Sequence, residues 1–167
     1  MISKFKSLLL FESLFKNAGV GIAVVDGDGV PIKVNTKLCD LLGYSEEELL
    51  VMPFKDFTHP EDMEKDLGLF SELLSGVIDS YEMEKRYVRK DGRVFWGMLT
   101  VSMAGQADGT ATVMGMVQDI DSKKKAEGEL LESQMLLKQH NAYKDKIFSV
   151  IAHDLRGPVN STARLWR

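Results

Sequence analysis

His153 and Asp154, adjacent near the C-terminal end, are the pair in this chain best suited to chemistry. A neutral imidazole has one protonated and one bare nitrogen. A carboxylate beside it can hold the proton on one nitrogen and leave the other free to attack an electrophile. That is the minimum for a nucleophilic histidine, and alone it is a weak signal. The surroundings add to it. Phe148–Val159 reads Phe-Ser-Val-Ile-Ala-His-Asp-Leu-Arg-Gly-Pro-Val, and Ile147, Phe148, Ile151 and Leu155 recur at spacings of one, three and four. That spacing predicts one apolar helical stripe. Lys144, Lys146, Asp154 and Arg156 take the polar faces, and His153 falls off the centre of the stripe, so it is expected to be accessible. Pro158 cannot donate an amide hydrogen, and its ring crowds the carbonyl four residues back, that of Asp154. The helix is therefore predicted to bend or stop just after His153.

The elements that would position this pair follow from composition and patterning. The chain has 167 residues, 44% hydrophobic and 28% charged, room for one compact domain plus extensions. Its longest apolar run is about seven residues, around Gly19–Val25, whereas a membrane span needs about 20. Lys4, Lys6 and Glu12 interrupt the partly apolar start, which reads as neither a secretory signal nor a span. Cys39 is the single cysteine, so no internal disulfide can form, which suits the cytoplasm. The net charge of −4 is unevenly spread: residues 1–122 hold 12 Lys/Arg against 20 Asp/Glu, and residues 123–167 hold 9 against 5. The basic tail is not read as a nucleic-acid surface, because no aromatic residues interleave with its charges.

In chain order, Met1–Asn17 predicts an amphipathic helix with Ile2, Phe5, Leu8, Leu9, Phe11, Leu14 and Phe15 on its apolar face. A helix this short is marginal alone, so it is expected to pack on the next domain or on a second copy of the chain. Three Asp-Gly pairs follow, Asp28-Gly29, Asp91-Gly92 and Asp108-Gly109, each between β-rich runs. Such pairs are strong hairpin signals. They predict five antiparallel strands at Gly21–Val25, Pro31–Val34, Ser80–Arg89, Val94–Met103 and Thr110–Ile120. Between the second and third strands lies a helical insert. Leu38, Leu41 and Leu42 mark a short helix closed by Gly43. Ser45 caps a second, with Glu46, Glu47 and Glu48 in its first turn, and Pro53 ends it. His59-Pro60-Glu61-Asp62 opens a longer helix with Met63, Leu67, Phe70, Leu73 and Leu74 as its apolar face, closed by Gly76.

From Ser122 to Arg156 there is no Pro and one Gly, Gly128, so a rod of about 52 Å is predicted at about 1.5 Å per residue. Leu130, Leu137 and Ile151 share a seven-residue spacing with Lys144 in the missing slot. Leu136, Tyr143 and Val150 make a second row, and Ala126, Ser133, His140 and Ile147 a weaker third. This pattern predicts a parallel coiled coil with polar interruptions, His140 being a tolerated polar seam residue. A homodimer through the N-terminal and coiled-coil helices is expected.

Two resemblances join these elements. The string around His153 resembles the H-box of sensor histidine kinases, whose core reads His-Asp/Glu-Leu-Arg-x-Pro after an apolar lead-in. The resemblance implies that His153 is the phospho-acceptor, Asp154 the adjacent acid that orients its ring and assists proton removal, and Pro158 the helix-bending proline. It also implies a response-regulator receiver domain as partner. Members that dephosphorylate their partner usually carry Thr or Asn four residues after the histidine. Gly157 stands there, so phospho-acceptance is implied rather than phosphatase activity.

About residues 12–121 resemble a PAS domain, through Asn17-Ala18-Gly19-Val20-Gly21-Ile22, Leu42-Gly43-Tyr44-Ser45-Glu46-Glu47-Glu48-Leu49, His59-Pro60-Glu61-Asp62 and Tyr87-Val88-Arg89-Lys90-Asp91-Gly92. The exit, Gln118-Asp119-Ile120-Asp121, is similar to the family's Asp-x-Thr/Ser signal, with Asp121 where Thr or Ser is usual. The expected fold class is thus α+β: a PAS fold flanked by an N-terminal helix and a long C-terminal helix. The organisation expected is residues 1–17 helix, 18–121 PAS sensor, 122–146 signalling coiled coil and 147–167 phospho-acceptor helix.

Specific cofactors are disfavoured. Cys39 sits in Lys-Leu-Cys-Asp-Leu, not the Asn-Cys-Arg context of covalent flavin binding, and reads as a small core residue. Haem-binding members carry a histidine on the long helix; Met63–Gly76 has none, and His59 reads as shaping the helix entry. Met83, Met98, Met103, Met114 and Met116 fall in strands, where they either fill core or line an apolar cavity. No Gly-x-x-x-x-Gly-Lys loop is present and only eleven residues follow Arg156, so the kinases' ATP-binding domain is missing and self-phosphorylation is not expected unaided. The competing reading is a stand-alone PAS ligand-binding or dimerisation module whose H-box is inert.

Overall fold

Five strands form one sheet, and buried residues alternate with more exposed ones most regularly along Gly21–Val25 and Ser80–Val88. The computed structural model describes residues 2–107 and 109–162, with side chains described for 6–105 and 109–156. Asp108 of the third turn therefore lies outside the described residues. The chain divides into two units, Met1–Ser122 and Lys123–Arg167.

In the first unit the sheet comprises β1 (Gly21–Val25), β2 (Pro31–Val34), β3 (Ser80–Val88), β4 (Val94–Ala107) and β5 (Thr110–Asp119), in the order β2-β1-β5-β4-β3 and antiparallel throughout. The hairpins fall where the Asp-Gly pairs predict them. Gly29 and Gly92 adopt φ of +77° and +83°, a region open to glycine at little cost. The β3–β4 register sets Tyr81 opposite Val101, Met83 opposite Leu99, Lys85 opposite Gly97 and Tyr87 opposite Phe95, all on the inward face.

The insert covers that face with α2 (Thr36–Leu42), α3 (Glu46–Leu49), a 3-10 turn (Phe54–Phe57) and α4 (Pro60–Leu74). Their buried side chains, Leu38, Leu42, Leu49, Phe57, Phe70 and Leu73, meet Val25, Leu99, Val113 and Val117 from the sheet in one core. Local chemistry fixes each helix end. Gly43 closes α2 at φ +77°. Ser45 and Glu48 form a reciprocal capping box on α3. His59 caps α4, its Nδ1 accepting from the Glu61 amide at 3.3 Å, with Pro60 at the first helical position.

Asn35 joins three elements. Its side-chain oxygen accepts from the amides of Ile22 (2.8 Å) and Leu38 (3.0 Å), and its amide group donates to the carbonyls of Phe15 (3.0 Å) and Val20 (2.9 Å). The last turn of α1 (Ile2–Lys16) is thereby tied to β1 and to the start of α2.

The structure corrects two expectations, on the inward face of α4 and on the strand methionines. The inward face of α4 is Asp66, Phe70 and Leu73, not a stripe through Leu67, which is exposed. The helix phase is set by the bond of Asp62 to Arg86, and Asp62, Asp66, Phe70 and Leu73 share one face at spacings of four, four and three. Among the described side chains of α1, Phe15 is buried against the domain, under Lys33, while Leu8, Leu9, Leu10, Phe11 and Leu14 are exposed and available to a second copy of the chain. Of the strand methionines only Met83 is in the core. Met98, Met114 and Met116 are out of phase with the buried Leu99, Val113 and Val117, so they lie on the opposite face of the sheet.

The second unit is helical: α5 runs from Asp121 to Thr162. It passes through Gly157 and Pro158, so the proline does not stop it. A proline costs a helix one backbone bond and need not end it. Leu130, Leu136, Leu137, Tyr143 and Val150 are all exposed on its surface.

Candidate functional site

Three groups of residues are candidates for a functional role, and the first is the His153–Asp154 pair. Nδ1 of His153 lies 3.5 Å from a carboxylate oxygen of Asp154, and the side chains are 90% and 76% exposed. The helix places His153 off the stripe of Ile147, Ile151 and Leu155, as the spacing predicts. The carboxylate lies on the Nδ1 side of the ring, a placement that would favour the ring proton there. Pro158 lies on the same helix, one turn further on.

The second group is the exit from the sheet. The Asp121 carboxylate accepts from the Trp96 amide at 2.8 Å, and the Ile120 amide donates to the Trp96 carbonyl at 2.9 Å. Asp119 accepts from the Asp121 amide at 2.9 Å through one oxygen and from Arg89 at 3.5 Å through the other. Arg89 also donates to the Leu41 carbonyl at the end of α2 and lies 4.3 Å from the centre of the Phe95 ring. The two exit acids named from sequence are thus brought together. Asp121 does with a carboxylate what a Thr or Ser hydroxyl would do, accepting from a backbone N–H while starting the helix.

Sequence reasoning missed the third group, a polar cluster under the sheet. Lys85 of β3 and Asp66 of α4 form an ion pair with side chains 2% and 1% exposed. Lys85 also donates to the Thr58 hydroxyl at 2.9 Å, which donates to the Phe54 carbonyl at 2.8 Å, and Tyr81 donates to Asp66 at 3.0 Å. Burial pulls the Lys85 pKa down, with Asp66 opposing, and pushes the Tyr81 phenol above its usual range. Tyr87 is stacked on Phe95 with ring centres 5.2 Å apart, and its hydroxyl has no hydrogen-bond partner among the described residues. Asp66, Tyr81, Lys85 and Tyr87 line a cavity of about 50 Å³ whose other walls are apolar, including Val25, Leu38, Leu99 and Val113. A signal existed: Tyr81-x-Met83-x-Lys85-x-Tyr87 alternates, so Lys85 shares the phase of three core residues.

Cys39 is half-buried at the edge of the core, away from this cavity, with its thiol pKa raised chiefly by burial. Among the described residues no group of three or more His, Cys, Asp or Glu could hold a metal ion, and no helix is long and apolar enough to cross a membrane.

One antiparallel sheet in the order 2-1-5-4-3, a helical insert over one face and an acid-marked exit into a long helix define a sensory-type α+β domain. The model of the PAS fold family matches residues 9–120, and the chain belongs to that family. It is 40% identical over 121 residues to the probable diguanylate cyclase DgcE of Escherichia coli (strain K12), covering 70% of this chain and 11% of that protein. It is 23% identical over 154 residues to the sensor histidine kinase TmoS of Ectopseudomonas mendocina, covering 90% of this chain and 16% of TmoS. The crystal structure of the PAS domain of an HTR-like protein from Haloarcula marismortui superposes with a TM-score of 0.58 at 26% identity, over 72% of this chain and all of that one. The chain therefore spans a small part of the curated relatives it matches, and these are signalling proteins. The TmoS match is too long to fit within the sheet domain and must run well into α5.

Proposed function

We propose that the chain is the input part of a two-component sensor histidine kinase. The PAS domain, residues 18–121, senses a signal, the helix over 122–146 relays it as a dimer, and His153 in the segment 147–167 accepts a phosphoryl group. The observation that carries the reading is the exposed His153, with Nδ1 beside Asp154 and Nε2 free. The TmoS match supports it by covering most of α5 as well as the sheet.

The chemistry is a displacement at phosphorus. Asp154 holds the proton on Nδ1, so the Nε2 lone pair faces the γ-phosphorus of ATP. The N–P bond forms as the bond from the γ-phosphorus to the bridging oxygen breaks, and ADP leaves with that electron pair. The positive charge on the ring is shared with Nδ1–H, next to the Asp154 carboxylate. In the second transfer an aspartate oxygen of a response-regulator receiver domain forms the new O–P bond, and Nε2 recovers its lone pair. ATP is held by a catalytic domain outside this chain.

The exposed rows of α5 support dimerisation. Leu130 and Leu137 form one row, and Leu136, Tyr143 and Val150 another; a parallel partner helix would bury both. The exposed residues of α1, among them Leu8, Leu9 and Leu14, supply a second apolar surface for the same partner. Signal passes from the sheet through Asp119 and Asp121, which bind the first turn of α5 to β4 and Arg89.

The second reading, a PAS module with an inert histidine, draws on the 40% identity to a cyclase over 70% of this chain. The two separate in one experiment. The chain is joined to the second dimerisation helix and ATP-binding domain of a sensor histidine kinase and given ATP and a receiver domain. The kinase reading predicts phosphoryl transfer that His153→Gln abolishes. Transfer unchanged by His153→Gln, or no transfer by either protein, favours the inert module.

A further inference from the structure

We propose that Ser149 and Lys146 hold the phosphoryl group once His153 carries it. The proposal rests on the reading of His153 as phospho-acceptor and adds the groups that keep the phosphate in place. Four residues span about one turn of an α-helix and seven about two, so Ser149 and Lys146 stand within about 40° and 20° of His153 round α5. Side chains of a helix lean towards its N-terminal end, so the His153 ring leans over the turn that holds Ser149. All three residues are exposed. The stripe of Ile147, Ile151 and Leu155 lies about 120–200° round the helix, so a partner packed on it leaves this face open.

Among the described residues the Ser149 hydroxyl and the Lys146 ammonium have no partner. Lysines at the start of α5 do pair: Lys123 lies 3.8 Å from Glu127, and Lys125 lies 4.0 Å from Glu129. Around Lys146 the positions three and four residues away hold Ala142, Tyr143, Ser149 and Val150, none of them acidic. A phosphoryl group on Nε2 brings about two negative charges and three acceptor oxygens. The Ser149 hydroxyl donates to one of those oxygens and the Lys146 ammonium offsets the charge, while Asp154 keeps to the Nδ1 side. The phosphoryl group leaves through a metaphosphate-like transition state, with less negative charge on its oxygens than the bound group has. Donors to those oxygens therefore favour the bound state and slow its loss.

The test uses the 167-residue chain and phosphoramidate, which phosphorylates an accessible imidazole without a catalytic domain. The Nε2 lone pair of His153 attacks phosphorus, the bond from phosphorus to the ammonium nitrogen breaks, and ammonia leaves with that electron pair. Excess reagent is removed, and phosphate on the tryptic peptide that carries His153 is followed over time at neutral pH by mass spectrometry. Phosphorylated N-acetylhistidine in the same tube sets the rate for an imidazole without neighbours. The parent should lose its phosphate more slowly than this reference. Ser149→Ala and Lys146→Gln should each lose it about threefold faster than the parent. Ser149→Thr and Lys146→Arg should restore the parent rate. The proposal is overturned if His153 gains no phosphate, if the parent loses it as fast as the reference, or if either Ser149→Ala or Lys146→Gln loses it at the parent rate. Phosphoramidate needs no ATP, so a joined kinase that fails to phosphorylate His153 would sink the kinase reading and leave this result standing.

Discussion

Replacing Lys85 by methionine should cost the sheet domain about 3–5 kcal/mol, the usual result of removing one partner of a buried ion pair. The side chains of Lys85 and Asp66 are 2% and 1% exposed, so no water replaces the lost partner. Without the ammonium, Asp66 keeps only the Tyr81 hydroxyl, at 3.0 Å. Asp66→Leu should cost a similar amount, because the ammonium is then left with Thr58 at 2.9 Å and the faces of Phe54 and Tyr87. The double variant Asp66→Leu/Lys85→Met removes both charges and their desolvation, and should lie within about 2 kcal/mol of the parent. The coupling energy between the sites is then at least about 4 kcal/mol, far above the roughly 0.3–0.5 kcal/mol error of additivity. A domain of ordinary stability, about 5–15 kcal/mol, would be left marginal by either single change and restored by the double one. Urea unfolding of the three variants, followed by circular dichroism and fluorescence, measures this as shifts in midpoint at constant slope. Single costs below about 1 kcal/mol, or a double variant equal to the sum of the singles, would refute the reasoning.

Gly97→Ala should destabilise the domain by about 1–3 kcal/mol, measured by the same unfolding. A Cβ there would lie 2.6 Å from the Tyr87 ring, which is fully buried and stacked on Phe95, and 3.2 Å from Val117. Asn35→Ala removes four side-chain bonds that tie α1, β1 and α2 together, and should cost about 2–4 kcal/mol and speed amide hydrogen exchange at the end of α1. The hydrogen bonds from Arg86 hold the Asp62 carboxyl below its usual pKa, so its contribution to stability is whole above the unfolded value, about 4, and is lost as pH falls through the lower folded value. Asp62→Asn should therefore cost about 1–3 kcal/mol at neutral pH, and the gap to the parent should close below about pH 4. A gap that does not change with pH would show that the charge of Asp62 is not what stabilises the fold.

Local chemistry explains which parts of the fold were legible. Asp-Gly pairs, the Ser45–Glu48 box and the His59-Pro60 entry act over a few residues, so strands and helix starts fall where the sequence places them. The cluster under the sheet was not legible because it is assembled across the fold. Asp66 and Lys85 are 19 residues apart, and each taken alone reads as a solvated charge. Only pairing β3 with β4 and fixing the phase of α4 turns both inward. The same holds for Arg89, whose partners Leu41 and Asp119 are 48 and 30 residues away. On α1, apolar residues are spread around the helix, so the sequence could not say that Phe15, among the described side chains, would be the one buried against the domain. His153 could be singled out as a candidate because its context is a contiguous string on one helix; its neighbour Asp154 is the next residue.

The most direct test of the central claim is to locate the phosphate. The chain, joined to the second dimerisation helix and ATP-binding domain of a sensor histidine kinase, is incubated with ATP, digested with trypsin at neutral to alkaline pH and analysed by mass spectrometry. The account predicts one added phosphoryl group on the peptide Ile147–Arg156, assigned by fragmentation to His153 and lost on brief acid treatment. Phosphate on another residue of this chain, or an unmodified Ile147–Arg156 peptide beside a catalytic domain that phosphorylates its own histidine helix, would contradict it.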